Sequence, residues 1–245
     1  MSKLKAVILA AGKGTRMNSD LPKVIHKCMD QPMVHYVIKA AKDAGASEVC
    51  VIVGYKSGDV KAAIYDVVEY AVQTEQLGTG HAVKCAKDFI GTEGDTIVLC
   101  GDTPLITGDT LKALVDTHKK EANGVTVLSA IVEDSTGYGR IVRDADGNFT
   151  KIVEQKDGTY EELQIKEINS GMYIFNSEAL SASLELLSND NAAGEYYLTD
   201  TIALIKKIGL KTSAMAVMGD TVNEIKGVNT LDQLAEAEEI MKARQ

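Results

Sequence analysis

The chain contains no tryptophan and only 3 prolines in 245 residues, beside 45% hydrophobic and 25% charged residues. This balance argues against a disordered chain, and the length is enough to bury a sizeable core. Positive charge is also short: 26 Lys and Arg stand against 35 Asp and Glu, a net charge of −9. A general nucleic-acid or membrane-surface binder needs a basic face, so those classes are excluded and any phosphate site must be local. Four cysteines, Cys28, Cys50, Cys85 and Cys100, form no C-x-x-C pair. Neither a zinc site nor a redox motif is encoded, and the expectation is reduced, buried thiols in a cytoplasmic protein.

No apolar stretch approaches the ~20 residues of a membrane helix. The run Ala6 to Ala11 after Met1-Ser2-Lys3-Leu4-Lys5 stops at Gly12, so it reads as a buried first strand and not as a signal peptide. His26, His35, His81 and His118 show no triad or metal spacing, and G-x-S-x-G is absent. There is no internal repeat, and in particular no hexapeptide repeat.

What is present alternates. Val/Ile-rich runs at Ala6–Ala10, Glu48–Val53, Glu69–Gln73, Thr96–Cys100 and Val125–Ile131 read as strands separated by helical patterns. Such runs suit strands buried on both faces, so a mostly parallel sheet with helices on each side is expected. Met33–Ala44 illustrates the helices, with Val34, Val37, Ile38 and Ala41 at helical spacing and Gly45 as a stop. From about Gly137 the texture changes to a hairpin, residues 140–143 and 149–154 flanking Asp146-Gly147-Asn148. A second lobe follows from this, with a strand at Ile168–Phe175, helices after Ser177 and around Thr199–Lys207, a strand at Thr212–Val217, and a last helix from Leu231. The expected division is one domain over 1–229, with lobes of about 1–110 and 111–229, and a terminal helix over 230–245. That helix carries a narrow apolar stripe, Leu231, Leu234, Ala237 and Met241, which suits packing on its own domain or, as the alternative, connection to something else.

Leu9-Ala10-Ala11-Gly12-Lys13-Gly14-Thr15-Arg16-Met17 follows the first strand. Glycines there let backbone N–H groups close on an anion, while Lys13, Arg16, Lys23 and Lys27 make a basic island. The spacing fits neither a Walker A loop nor a dinucleotide fingerprint, whose third glycine is replaced by Met17. A purely structural turn remains the competing reading.

L-A-A-G-x-G-T-R-M followed by Pro22-Lys23 strongly resembles the signature of sugar nucleotidyltransferases. Further motifs resemble the uridyltransferase domain of the bacterial N-acetylglucosamine-1-phosphate uridyltransferase family. They are Gln73–Ala82, Gly101–Leu105, Gly137–Arg140, Ile152–Glu154, Glu167–Gly171, Gly194–Asp200 and Gly227–Asn229, in the family's order over nearly the whole chain. The resemblance implies a Rossmann-like mixed, mostly parallel sheet with helices on both faces. It also implies UDP-N-acetylglucosamine and pyrophosphate made from UTP and N-acetylglucosamine-1-phosphate, Mg²⁺ as cofactor, and cell-wall precursor supply. The family's full-length members continue into a β-helix acetyltransferase with trimer contacts; the expectation for these 245 residues, which show no hexapeptide repeat, is that they offer no acetyltransferase, and the oligomeric state is left open.

By that resemblance the nucleotide is bound by Leu9, Ala10, Ala11, Gly12, Gly14, Gln73, Gln76, Gly78 and Thr79, the side-chain amide of Gln73 matching the imide edge of uracil. Arg16 and Lys23 are the catalytic cations, and Asp102 and Asn229 the metal ligands. Gly139, Glu154, Asn169, Tyr197 and Thr199 hold the sugar. Several have a plainer alternative: Gln73 as an exposed strand end, Gln76–Gly80 as a flexible loop, Asp102 as a cap before Pro104, Asn229 as a residue near a helix N-cap, Glu154 on a polar strand face, Asn169 capping a turn. Cys100 departs from the tyrosine that often precedes the family's Gly-Asp pair. Since a sugar-1-phosphate is already an anion, the expected mechanism is alignment and charge neutralisation without a general base or a covalent intermediate. The competing functions are the same chemistry on another sugar phosphate or nucleotide, as in UDP-glucose or dTDP-glucose pyrophosphorylases, a non-catalytic nucleotide-sugar sensor, and a scaffold acting through the terminal helix.

Overall fold

The computed structural model describes residues 3–244; Met1 and Ser2, at the start of the expected 1–229 domain, and Gln245, at the end of the expected 230–245 helix, lie outside the described residues. The strands are β1 (Leu4–Ala10), β2 (Lys27–Cys28), β3 (Gln31–Pro32), β4 (Glu48–Val53), β5 (Glu69–Val72), β6 (Asp95–Cys100), β7 (Val125–Ile131), β8 (Arg140–Arg143), β9 (Phe149–Val153), β10 (Glu167–Asn176) and β11 (Thr212–Val217). The helices are α1 (Met33–Asp43), α2 (Ser57–Ala63), α3 (Thr79–Cys85), α4 (Lys87–Ile90), α5 (Gly108–Glu121), α6 (Tyr160–Leu163), α7 (Ser177–Leu184), α8 (Asp200–Lys207) and α9 (Leu231–Ala243).

One sheet runs in the order β11-β7-β10-β6-β1-β4-β5, with β8 and β9 attached beside β10. β1 pairs in parallel with β4 and β6, β4 with β5, and β7 with β11, while β10 runs antiparallel between β6 and β7. The expected mixed, mostly parallel sheet is therefore present; β10 runs against its neighbours, and β9, paired antiparallel with β8, runs the same way as β10. β1 is central because both its faces are apolar: Ala6, Ile8 and Ala10 pack with α1 and α5 residues in one cluster, Val7 with α3, α4 and α7 residues in another. Period-2 burial on both faces is what places helices on both sides of such a strand.

The register of β10 on β7 shifts between Asn169 and Tyr173, where Gly171 takes φ 78°. A bulge of this kind bends the strand and re-aims side chains. It lies where the sugar-binding residues were expected.

α9 packs back on its own molecule. Ala237 is buried with Cys28, Met33, Leu105 and Val228, and Leu234, Ile240 and Met241 pack around them. Leu231 breaks the expected stripe, being 55% exposed. Glu238 accepts a hydrogen bond from the Met29 amide at 2.8 Å, and Arg244 donates to the Leu105 carbonyl at 2.9 Å. No helix among the described residues is long and apolar enough to cross a membrane.

Candidate active site

The parallel strands β1, β4, β5 and β6 all end on one edge of the sheet, where open α/β sheets gather their ligand-binding loops. The loops there are tied together through the backbone: Gly101 N donates to Leu9 O at 2.9 Å, Tyr55 N to Ala11 O at 3.0 Å, and Gln73 N to Val53 O at 2.8 Å. Residues from distant parts of the chain are thereby brought to one rim.

A cleft of about 390 Å³ opens along this edge. Leu9, Ala10, Ala11, Gly12, Gln73, Gln76, Gly78 and Thr79 line it, together with Lys23 and Asp102. Of the expected nucleotide residues only Gly14 stands outside the lining. Its part is different: it takes φ 67°, and a Cβ there would fall 2.4 Å from the Lys23 Cβ, so the loop lies directly against Lys23. The loop is anchored by Met17, which is 1% exposed and occupies the place of a dinucleotide loop's third glycine.

Gln73 is 3% exposed, which replaces the exposed strand end with a fixed cleft wall. The Gln76–Gly80 segment is held by the chain around Tyr196: Tyr196 N donates to Leu77 O at 2.8 Å, Gly80 N to Tyr196 O at 2.8 Å, and Leu198 N to Thr79 Oγ1 at 3.1 Å. Glu195, from the same chain segment, lines the cleft and was not singled out from sequence, although it lies in the quoted Gly194–Asp200 motif.

At the mouth of this cleft four side chains converge. Lys23 Nζ donates to Asp102 Oδ2 in a short ion pair and to Asn229 Oδ1 at 2.9 Å, and Arg16 Nη2 donates to Asn229 Oδ1 at 2.8 Å. Asn229 precedes the true N-cap of α9, Thr230, and is positioned by Gln233, whose Oε1 accepts from its backbone N–H at 2.7 Å. The Asp102 backbone carbonyl accepts from Val228 N at 2.8 Å, which brings the β6 and α9 approaches side by side. One cation, the Lys23 ammonium, already bridges the Asp102 carboxylate and the Asn229 amide oxygen. The donor set therefore suits a hard cation such as Mg²⁺, which needs few protein ligands when phosphates complete its shell. No cluster of three or more His, Cys, Asp and Glu among the described residues could hold a metal.

A second cleft of about 230 Å³ adjoins the first, and Leu9, Thr79 and Cys100 line both. Gly139, Glu154, Asn169 and Thr199 line the second; Tyr197 does not, its hydroxyl donating to Asp157 Oδ2 at 3.2 Å instead. Thr199 Oγ1 donates to Glu154 Oε1 at 2.9 Å. Burial pushes the Glu154 carboxyl above its ordinary value, with Asp200, Asp157 and Glu195 adding repulsion against the lowering effect of Thr199. Asn169 does cap a turn, accepting from Gly171 N at 3.0 Å, yet its Nδ2 donates to the Tyr173 hydroxyl at 2.7 Å within the cleft wall. Tyr173 and Ser170 are cleft residues that sequence reasoning missed; only the bulge brings them there. Arg140 of the Gly-Tyr-Gly-Arg motif is 2% exposed and ties the Tyr138 carbonyl to Gln155, so it supports the Gly139 loop. At the seam, burial pushes the Cys100 thiol up to about 12, so it stays neutral, and its Sγ lies against the Gly171 carbonyl at 3.4 Å.

A Gly-rich loop, two joined clefts and a cationic and carboxylate cluster at the edge of a mixed sheet are the parts of a nucleotidyl-transferring class of protein. Residues 5–220 match the family described as nucleotidyl transferase, and the chain belongs to that family. It is similar to "Bifunctional protein GlmU" of Caldanaerobacter subterraneus subsp. tengcongensis, 52% identical over 244 residues, covering 100% of this chain and 53% of that protein. The Clostridioides difficile protein of the same name is 51% identical over 240 residues, covering 98% and 52%. The chain thus spans about half the length of the curated relatives it matches. Among solved structures, a crystal structure from Bacillus anthracis, provisionally assigned as a glucose-1-phosphate thymidylyltransferase and in complex with a sucrose, superposes with TM-score 0.76. It covers 97% of this chain and 94% of that one at 22% identity, a likeness of fold.

Proposed function

We propose that the chain is a sugar-1-phosphate uridylyltransferase that forms UDP-N-acetylglucosamine and pyrophosphate from UTP and N-acetylglucosamine-1-phosphate. The observation that carries this reading is the shared wall at Leu9, Thr79 and Cys100, which joins a larger cleft beside the Gly-rich loop to a smaller, polar one. Similarity to GlmU over the whole chain supports the choice of uridine and of an acetamido sugar.

In this reading UTP lies in the larger cleft with its base at Gln73, Gln76, Gly78 and Thr79 and its triphosphate along Leu9–Gly14. The sugar lies against Gly139, Glu154, Asn169 and Thr199, with Tyr197 supporting the rim through Asp157. A phosphate oxygen of the sugar-1-phosphate attacks the α-phosphorus of UTP in line, and the bond to the β-phosphate's bridging oxygen breaks, releasing pyrophosphate. The nucleophile is already ionised, so the site needs no base. Lys23 and Arg16 neutralise the α-phosphate and the leaving group; without ligands both donate to Asn229 Oδ1, contacts that they would exchange for phosphate oxygens. Asp102 and Asn229 would hold Mg²⁺, which supplies further charge neutralisation to the reacting phosphates. The nucleotide-binding and sugar-binding lobes are assigned to about 1–110 and 111–229, and a cytoplasmic role in supplying cell-wall precursors follows from the product.

The test is pyrophosphate release with UTP and Mg²⁺ against a panel of sugar-1-phosphates, with dTTP and CTP as controls. Release chiefly with N-acetylglucosamine-1-phosphate is expected. Preference for another sugar would overturn the pocket assignment, and no release with any pair would overturn the reaction.

A further inference from the structure

The Gln73 amide has more neighbours than a base-contacting group requires. Its Nε2 lies 3.1 Å from the Gly78 carbonyl oxygen and 3.2 Å from His81 Nδ1. A carbonyl oxygen can only accept, so the end of the amide that faces Gly78 is the NH₂ end. The second N–H of that group then points at His81 Nδ1, which must carry the lone pair, and the imidazole proton sits on Nε2. Both donors of Gln73 are engaged inside the protein. What remains for a base in the cleft is Oε1, an acceptor.

The Gly78 side of this clamp is set by the backbone. Gly78 adopts φ 109°, a Cβ there would fall 2.6 Å from the Tyr196 carbonyl oxygen, and the Tyr196 backbone grips the residues on either side. The His81 side is set by a side chain, on the first turn of α3 with its ring 6.4 Å from that of Tyr196. His81 is thus the exchangeable member of the pair.

Resting on the uridylyl-transfer reading above, we propose that His81 is a positioning residue for base selection. Together with the Gly78 carbonyl it holds Gln73 with its acceptor toward the base. Uracil presents N3–H, a donor, between its two carbonyls, and this matches Gln73 Oε1. Cytosine presents the N3 lone pair at the same place, and two acceptors then face each other. The uracil-over-cytosine preference is in this way written partly in a histidine that need not touch the base.

The test measures UTP and CTP dissociation constants by calorimetry on the full chain, for the unaltered protein, His81→Phe and His81→Asn. Phe keeps the ring against Tyr196 and removes the acceptor, so the UTP-over-CTP ratio is expected to fall at least ~5-fold, mainly through weaker UTP binding. Asn offers Oδ1 near the place of Nδ1 and is expected to restore most of the ratio. An unchanged ratio in His81→Phe overturns the proposal, as does a parent protein that binds both nucleotides equally. If the parent discriminates between the two and His81→Phe loses that discrimination, but no pyrophosphate is released with any sugar phosphate, the transfer reading falls while base selection by His81 is supported. Nitrogen-15 spectra of the histidines in the unaltered protein give an independent readout: the Nε2–H tautomer at His81 supports the proposal, and the Nδ1–H tautomer overturns it.

Discussion

Arg16 and Asp102 differ in what their removal would disturb. Arg16 is exposed and touches the rest of the protein through Asn229, so Arg16→Ala should leave folding intact. Asp102 is more enclosed and pairs with Lys23, so its removal leaves that ammonium without its carboxylate. Each alanine variant is expected to lower turnover at least ~100-fold, because fixed charges aimed at the transition state supply more of the rate enhancement in such a site than any other effect. Steady-state pyrophosphate release beside a thermal melt separates chemistry from folding; full activity in either folded variant would remove that residue from the mechanism. Glu154 gives a pH test. Its carboxyl is raised chiefly by burial, so ionising it costs more in the folded than in the unfolded chain. Stability from this group is then full below the ordinary carboxylate range and is lost as pH rises through the folded value. Glu154→Gln, which can still accept from Thr199, should melt higher than the parent at neutral pH. That advantage should shrink as pH falls and vanish near about pH 4. A melting difference independent of pH would show that the carboxyl is not strained by burial. Sugar affinity should fall in the same variant if the carboxylate binds a hydroxyl.

The Gly-rich loop and β10 show how unevenly elements can be read from sequence. The loop's position after β1 was legible because an apolar run ends abruptly in Gly12-Lys13-Gly14. The different duties of its glycines were not, since they depend on Lys23 arriving from a later turn. A Cβ on Gly12 would meet nothing within 4 Å, whereas one on Gly14 would strike the Lys23 stem. Gly12→Ala is therefore expected to keep the melting temperature and raise KM for UTP by narrowing the cleft. Gly14→Ala should lower both stability and turnover, the latter by ~100-fold if Lys23 is displaced by about an ångström. Equal effects from both substitutions, by melts and steady-state kinetics, would contradict the division. β10 was legible as a strand over Ile168–Phe175, but its bulge was not, so Tyr173 and Ser170 were missed while Asn169 was found through its motif. The β2–β3 hairpin was also missed: its strands are two residues each, and its turn uses Met29 at φ 54°, where no glycine or asparagine announces it.

Across the whole molecule, strand order was beyond the sequence because pairing is decided by which helices cover which face, a long-range outcome of packing. The terminal helix shows the same limit. Its stripe announced an apolar contact but not the partner, which proved to be Cys28, Met33, Leu105 and Val228 of its own body. Ala237→Asp would bury a carboxylate among these, costing more than ~2 kcal/mol in chemical denaturation and loosening the Asn229 approach beside it.

Charge distribution is the other property that exists only at this scale. The protein carries −9 overall, yet Lys23 lines the larger cleft, Arg16 donates to the same Asn229 oxygen as Lys23, and Lys13 stands in the Gly-rich loop. Lys13 is exposed, its Nζ 5.5 Å from the centre of the Tyr55 ring, and no ion pair with an acidic residue is seen for it among the described residues. A triphosphate approaching an acidic protein is repelled at long range and attracted at short range. Salt therefore weakens both effects, and the net sign reports which one governs binding. A triphosphate lying along the Gly-rich loop would meet these cations at short range, where screening at physiological salt, with a Debye length of ~8 Å, is weakest. KM for UTP should accordingly rise with ionic strength while kcat changes little, and Lys13→Ala should flatten that slope. A KM that falls with salt would mean that the overall acidity, and not the basic mouth, controls nucleotide capture.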